Sequence, residues 1–278
     1  MGLTICPLFS GSTGNAVLVS DGVTSILVDA GMSARSIRQE MAGIGADASR
    51  LDAIVVTHEH VDHVRGIPVL ADTCDIPVYA TAGTWQAMAG KMGRIGVANR
   101  RYLPGNQDFY IGGIDVQPFD ISHDAAQPVG YQFYAGGVTV AVATDLGYIS
   151  RALMRTLEGV DALVLEANHD IGMLEQGRYP YRLKQRILSH KGHLSNEDAG
   201  RALVRLVQTG TQVCMLGHLS KENNTPDLAL KTVQAALARE GMEAGRDVLL
   251  CMTRRDGAIE PVHIQRPALA RAQIGAGL

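Results

Sequence analysis

Short apolar runs rich in β-branched residues alternate along the whole chain with segments whose apolar positions recur every three to four residues. The runs predict strands over residues 3–9, 15–20, 25–29, 53–57, 78–80, 114–121, 138–144, 162–166, 212–217 and 248–251. The periodic segments predict helices over 34–41, 82–92, 151–157, 181–188, 196–207 and 226–239, the fifth with Ser195 as its N-cap. Glycine-rich punctuation separates these elements. No linker, charge block or low-complexity stretch interrupts them, so one continuous α/β domain over residues 1–278 is expected. No apolar run reaches the roughly 18 residues that a membrane-spanning helix needs.

A diverged internal repeat lies inside this alternation. Ile26-Leu27-Val28-Asp29-Ala30-Gly31 is echoed by Val140-Ala141-Val142-Ala143-Thr144-Asp145-Leu146-Gly147, each an apolar strand that ends in Asp-x-Gly before a helix. Leu51-Asp52-Ala53-Ile54-Val55-Val56 is echoed in turn by Val160-Asp161-Ala162-Leu163-Val164-Leu165. The repeat predicts two pseudo-symmetric halves, about residues 1–125 and 126–265, followed by a short C-terminal tail. Two such halves stack their sheets face to face with helices outside, a four-layer αββα sandwich. Asp29 and Asp145 then meet at the edge outside the carboxyl ends of the strands, where α/β folds bind ligands.

Composition narrows the class. Of 278 residues, 46% are hydrophobic and 19% charged, which excludes disorder and fibre. Aromatics are only 5%, so the core must be built from Ala, Val, Ile and Leu. A formal net charge of −3 supplies no overall field for a polyanion, so a nucleic-acid partner needs a local basic patch or bound metal. Cys6, Cys74, Cys214 and Cys251 form no CxxC pair and sit in apolar stretches, which reads as buried free thiols of a reducing compartment. The first residues lack the basic and apolar regions of a secretion signal, and Cys6 stands where a myristoylation pattern wants Ser or Thr. A cytoplasmic location is expected.

Thr57-His58-Glu59-His60-Val61-Asp62-His63 follows directly on an apolar strand and is the most informative segment. Imidazole and carboxylate suit Zn(II), Mn(II) or Fe(II), and the HxHxDH spacing is too tight for all four groups to wrap one ion, so a division between two is expected. His123, Asp145 and His218 add further ligand types at other predicted strand ends, with Asp145 able to bridge.

This ligand order resembles that of the metallo-β-lactamase fold superfamily, an αββα sandwich with a dinuclear metal centre. The resemblance implies that one ion takes His58, His60 and His123, the other takes Asp62, His63 and His218, and Asp145 bridges them. It also implies that Asp29 is not a ligand but a hydrogen-bonding partner that fixes the histidine loop. Two cations a few Å apart lower the pKa of a shared water and stabilise charge on the attacked centre and leaving oxygen. Asp62 is accordingly a candidate catalytic residue as well as a ligand.

Residues outside the ligands must choose the substrate. Leu165-Glu166-Ala167-Asn168-His169-Asp170 and Lys191-Gly192-His193-Leu194-Ser195 resemble the Glu and His of tRNase Z-like phosphodiesterases, which implies that Glu166 and His193 assist phosphate binding and leaving-group protonation. His169 and His190 read as structural. Residues 176–191 hold five basic residues and two tyrosines but no acid, a surface fit for backbone phosphates. Candidate substrate contacts are Ser12 in the first hairpin, Arg182, Lys184 and Lys191 in the basic segment, Ser195 at the helix start, and Lys221 and Asn223 after His218.

Ser10-Gly11-Ser12-Thr13-Gly14-Asn15, the 57–63 motif, Tyr79-Ala80-Thr81 with Thr84-Trp85, Glu166 to Asp170, Lys184 to Ser189, Gly192 to Asn196 and His218 to Asn224 together resemble the YycJ/WalJ-type bacterial hydrolases. The likeness runs to about Ile264 and implies a metal-dependent DNA exonuclease acting through a metal-bridging hydroxide. Glu166 follows Asp145 by only 21 positions, no room for the inserted cap of RNase J-like nucleases. The alternatives are a small-molecule ester, thioester or cyclic phosphodiester hydrolase, and a metal-stabilised scaffold without turnover.

Overall fold

The computed structural model describes residues 2–90, 95–105 and 107–266. β1 (Leu3–Phe9), β2 (Ala16–Ser20), β3 (Ser25–Val28), β4 (Ala53–Val55), β5 (Val78–Ala80) and β6 (Arg100–Tyr102) build the first sheet. β7 (Phe109–Ile111), β8 (Ile114–Asp120), β9 (Val129–Ala135), β10 (Val138–Ala143), β11 (Ala162–Glu166), β12 (Val213–Gly217) and β13 (Leu249–Met252) build the second. β14 (Val262–Ile264) then returns to pair antiparallel with β1. The helices are α1 (Ala34–Gly43), α2 (Val61–Val64), α3 (Ile67–Cys74), α4 (Ala82–Met88), α5 (Arg151–Leu157), α6 (Ile171–Gln176), α7 (Tyr181–Ile187), α8 (Asn196–Gln208) and α9 (Pro226–Arg239).

Three apolar clusters define the four layers. Alternate residues of both sheets, among them Ile26 and Val28 of β3 and Val140 and Val142 of β10, meet in a central core that includes Tyr131 and Phe133. The opposite face of the first sheet, with Leu27 and Ile54, packs on α1, α3 and α4. The opposite face of the second, with Leu163 and Leu165, packs on α5, α8 and α9. A strand buried on both faces must be apolar throughout, which is why the sequence shows runs rather than alternation. The expected αββα sandwich is therefore the fold.

Both repeated units form. β3–α1–β4 and β10–α5–β11 each pair their strands in parallel, and Asp29 and Asp145 both stand just past the first strand at φ 59°. The chain passes from one sheet to the other between Tyr102 and Phe109, so β7 and β8 lie in the second sheet although they precede residue 126.

Several boundaries differ for local reasons. The strand expected over 53–57 stops at Val55, because the Thr57 N–H leaves the ladder for the Asp29 carboxylate. The helix expected over 82–92 ends at Met88, and Met92 lies outside the described residues. β6, β7, β9, β14, α2, α3 and α6 were not expected. In β9 the pattern is broken by Gly130, yet the strand persists because the Phe119 ring of β8 fills the vacant side-chain position, 2.3 Å from where a Cβ would stand. α3 has eight residues and a proline in its first turn, too short for its period to show.

All four cysteines are free, but only Cys6 and Cys214 are buried; Cys74 at the end of α3 and Cys251 on edge strand β13 are half-exposed. Among the described residues no helix is long and apolar enough to cross a membrane.

Candidate active site

The expected ligands converge because they sit at strand ends on one edge of the sandwich. Asp29, Asp145 and His218 follow β3, β10 and β12, each in the left-handed region at φ 59°, 59° and 54°. A non-glycine residue held there costs on the order of 1 kcal/mol, and hydrogen bonds hold each turn. The His218 N–H donates to Ser10 Oγ at 2.8 Å, and its carbonyl accepts from Asn168 Nδ2 at 2.8 Å. The Asp29 N–H donates to Val55 O at 2.9 Å.

Hydrogen bonds also fix which nitrogen of each imidazole faces the site. Carboxylate and carbonyl oxygens only accept, so His63 Nδ1–H donates to Asp29 Oδ2 at 2.7 Å and His123 Nδ1–H to Gly192 O at 3.1 Å. Thr57 Oγ1 donates to Asp29 Oδ2 at 2.8 Å and is therefore free to accept from His58 Nδ1–H at 3.0 Å. His218 Nδ1 faces Asn15 Oδ1 at 3.2 Å. Each bond turns Nε2 inward, the nitrogen through which a deprotonated ring binds metal. Asp29 braces the loop through Thr57 and His63, while Asn15 also bonds the Asp62 carbonyl at 3.3 Å.

Inside this ring the donor atoms crowd one another. His58 Nε2 stands 2.9 Å from His60 Nδ1, which stands 3.3 Å from His123 Nε2. Three imidazole nitrogens this close must share a proton or surround a cation, and the donor set fits a metal ion. Asp145 is buried, and its Oδ2 has no hydrogen-bond partner among the described residues. His63 Nε2 and His218 Nε2 each approach Asp145 to 3.3 Å, and His123 Nε2 approaches to 3.7 Å. Ligand atoms of His58, His60 and His123 lie within 4.8 Å of one another, as do those of His58, His63 and Asp145, and those of Asp145, Glu166, His193 and His218. Asp62 joins none of these groups; it reaches His63 Nε2 at 3.7 Å.

Burial and charge set the protonation of the site. Burial pushes His58 well below its usual range, and the neighbouring His63 adds to this. Burial opposes the charge of His63 as well, but Asp145 and Asp29 outweigh it and raise His63 to about 10. Burial likewise opposes ionisation of Asp145, and His218 and His63 overcome it to hold the carboxyl well below the usual range.

Beside these groups Glu166 and His193 form a dyad. Glu166 is fully buried at the end of β11; its Oε1 accepts His193 Nδ1–H at 2.7 Å and its Oε2 accepts the Leu146 N–H at 2.5 Å and the Leu194 N–H at 3.3 Å. Burial disfavours charge on His193, yet Glu166 reverses the balance and raises it to about 9. His193 lines a cavity of about 360 Å³ with His60, Asp62, His123, Asp145 and His218. His169 stays behind the dyad, buried, and desolvation pushes it down to about 4.

The expected substrate contacts divide. Ser12 lines the cavity mouth. Arg182, Lys191 and Lys221 are exposed but do not line it, and Lys184 Nζ is turned onto Glu175 O at 2.7 Å. Ser195 and Asn223 are both buried and do not line the cavity. Ser195 Oγ caps α8 through the Asp198 N–H, and Asn223 closes a turn in which its carbonyl accepts from Asp170 N–H at 2.9 Å. Of the basic segment it is Arg186 that lines the cavity, with Leu183 and Ile187 from the same helix face. The i, i+3, i+4 spacing of these three was available in the sequence. Asn15 and Asp124 had no such signal, since only folding brings them to the histidines.

The comparisons with known proteins agree with this geometry. The chain matches the beta-lactamase superfamily domain over residues 24–218. It is 40% identical over 253 residues to exodeoxyribonuclease WalJ of Streptococcus pneumoniae, covering 90% of this chain and 94% of that protein. It is 39% identical over 245 residues to exodeoxyribonuclease YycJ of Bacillus anthracis, covering 88% and 93%. Among solved structures, the metallo-beta-lactamase fold protein YhfI of Bacillus subtilis superposes with a TM-score of 0.69 at 16% identity, over 93% of this chain and 99% of that one.

Proposed function

The chain belongs to the beta-lactamase superfamily, in the group of WalJ and YycJ, and from that premise we propose that it removes nucleotides from the ends of duplex DNA. It is a metal-dependent hydrolase of phosphodiester bonds, and both relatives are named exodeoxyribonucleases. The observation that carries the reading is the meeting of the Glu166–His193 dyad with the imidazole and carboxylate cluster in one open cavity. A pure scaffold has no use for an open cavity lined by such a dyad.

His58, His60 and His123 would hold one divalent ion and Asp62, His63 and His218 a second, with Asp145 shared; Zn(II), Mn(II) and Fe(II) all suit these donors. Bound there, the ions supply an acidified water and offset the charge that grows on the phosphoryl oxygens. The remaining work falls to the chain. With Nδ1–H committed to Glu166, the proton that His193 delivers to the leaving oxygen is the one on Nε2, and the raised pKa keeps it available at neutral pH. Glu166 positions the ring and stabilises its charged form. The four free cysteines suit a reducing compartment, and we place the activity in the cytoplasm.

The test is nucleotide release from 5′-labelled and 3′-labelled duplex DNA by Mn(II)-loaded and Zn(II)-loaded protein, with Asp62→Ala as the blank. Progressive loss from one end that vanishes in the variant is expected and sets the polarity. No release, with turnover of a small ester or cyclic phosphodiester, refutes it. His193→Ala should lower turnover far more than metal content; parallel loss of both would make His193 structural.

A further inference from the structure

Arg186 is the cation that the fold delivers to the mouth of the cavity, and four contacts determine where it stands. The turn that carries His193 is packed onto the C-terminal end of α7 without room for a side chain: a Cβ on Gly192 would lie 2.1 Å from Ile187 O and 2.3 Å from Arg186 O. The His193 N–H donates to Ile187 O at 3.0 Å, so the helix end and the dyad move as one body. Gly192 O in turn accepts His123 Nδ1–H, and the next residue, Asp124, closes the ring by accepting Arg186 Nε–H on Oδ2 at 2.5 Å.

The Asp124 carboxylate is divided between two tasks. Its Oδ1 is buried without a hydrogen-bond partner among the described residues and lies 3.4 Å from His123 Nε2. Its Oδ2 holds only the Nε of Arg186. Neither terminal nitrogen of the guanidinium bonds to another described residue, and the side chain remains 55% exposed. A guanidinium tethered at Nε keeps its two outer NH2 groups as a fork, the shape that matches two oxygens of a phosphate.

Resting on the exonuclease reading, we propose that Arg186 is a specificity-determining residue that binds the phosphate next to the scissile one, and that Asp124 is its positioning residue. The cation sits at the mouth rather than among the buried ligands, so it meets the strand where it leaves the cavity. A polynucleotide reaches this point and a compact phosphodiester does not, which makes the contact a means of preferring DNA over small substrates.

The experiment uses the Mn(II)-loaded full chain with two substrates, a labelled duplex oligonucleotide and bis(p-nitrophenyl) phosphate, for wild type, Arg186→Ala, Arg186→Gln, Arg186→Lys and Asp124→Asn. Metal content and melting are read alongside, and the Gln variant stands in if the Ala variant is poorly folded. The expected result for Arg186→Ala is a KM for the oligonucleotide raised about ten-fold, the size of a lost charge-assisted contact, and a salt slope of binding smaller by about one. Its kcat/KM should fall far more for the oligonucleotide than for the small diester. Arg186→Lys should recover part of the KM, and Asp124→Asn should raise KM with little change in kcat. An unchanged oligonucleotide KM and salt slope in Arg186→Ala overturns the assignment of Arg186. Equal losses on both substrates also overturn it, as does a loss of metal in step with activity. Wild-type protein that leaves DNA intact fails the functional reading itself, and this assignment falls with it.

Discussion

Replacing Glu166 by Gln tests the dyad most sharply, because shape is kept while charge is removed from a fully buried position. The carboxylate accepts from two backbone N–H groups and from His193, whereas an amide presents its NH2 to one side or the other and leaves a donor facing a donor. In wild type His193 is raised from 6.5 to about 9, which corresponds to about 3 kcal/mol of stability. A folded-state pKa above the unfolded one contributes fully below about 6.5 and is lost as pH rises through about 9. A chain of 278 residues has an unfolding entropy of roughly 0.6 kcal/mol/K, so about 3 kcal/mol is about 5 °C of Tm. Metal-stripped Glu166→Gln should therefore melt about 5 °C or more below wild type at pH 6, and the gap should narrow by about that amount at pH 10. In the metal-loaded enzyme kcat should fall on the order of 10²-fold or more with metal content retained, since a positioned general acid contributes about 10²–10⁴. The assay is scanning calorimetry across pH, paired with turnover and metal analysis. A gap that does not change with pH, or a variant with wild-type kcat, refutes the reasoning.

Other consequences follow from particular residues. His63, raised to about 10 by Asp145 and Asp29 against its burial, holds a proton at pH 7.5 that it must give up to bind a metal ion. Calorimetric titration with Zn(II) in buffers of different ionisation enthalpy should show at least one proton released and affinity rising with pH towards 10; uptake without proton release contradicts this. Gly31→Ala should abolish metal binding, because its Cβ would stand 1.6 Å from the Asp62 carbonyl, whereas Gly43→Ala at the end of α1 meets open space and should be neutral or stabilising by about 0.5 kcal/mol. Equal melting temperatures for the two variants count against the loop geometry. Burial pushes the Cys6 thiol up to about 12 and Cys214 further still, so iodoacetamide at pH 8 should label Cys74 in the native protein and spare Cys6 and Cys214. Mass spectrometry that finds Cys6 or Cys214 modified before unfolding refutes their packing.

The layer order was legible along the chain, and so were the imidazole and carboxylate residues that folding gathers at one edge. Strands such as β1, β5 and β11 and helices α5 and α9 have the limits the pattern predicts, because each carries apolar residues on the faces its two cores demand. The repeated Asp-x-Gly ends foretold two βαβ units with an acid at each strand end. Apart from β9, whose pattern Gly130 breaks, the elements that escaped were short, as with the edge strands β6, β7 and β14, where three residues give no period.

What the sequence determined by itself is the set of reactive residue types: metal-binding side chains crowded after one strand end, and a Glu and a His whose order resembles that of tRNase Z-like phosphodiesterases. What the tertiary structure alone decided is who touches whom. Asn15 reaches His63 and His218 across 48 and 203 positions, Asp124 finds Arg186 across 62, and Ser195 and Asn223 turn inward to serve a helix cap and a turn. Local pattern encodes which face of an element is apolar, because that depends on neighbours three or four residues away. It does not encode the side-chain partners at a strand end, because those are brought there by two sheets closing on a core.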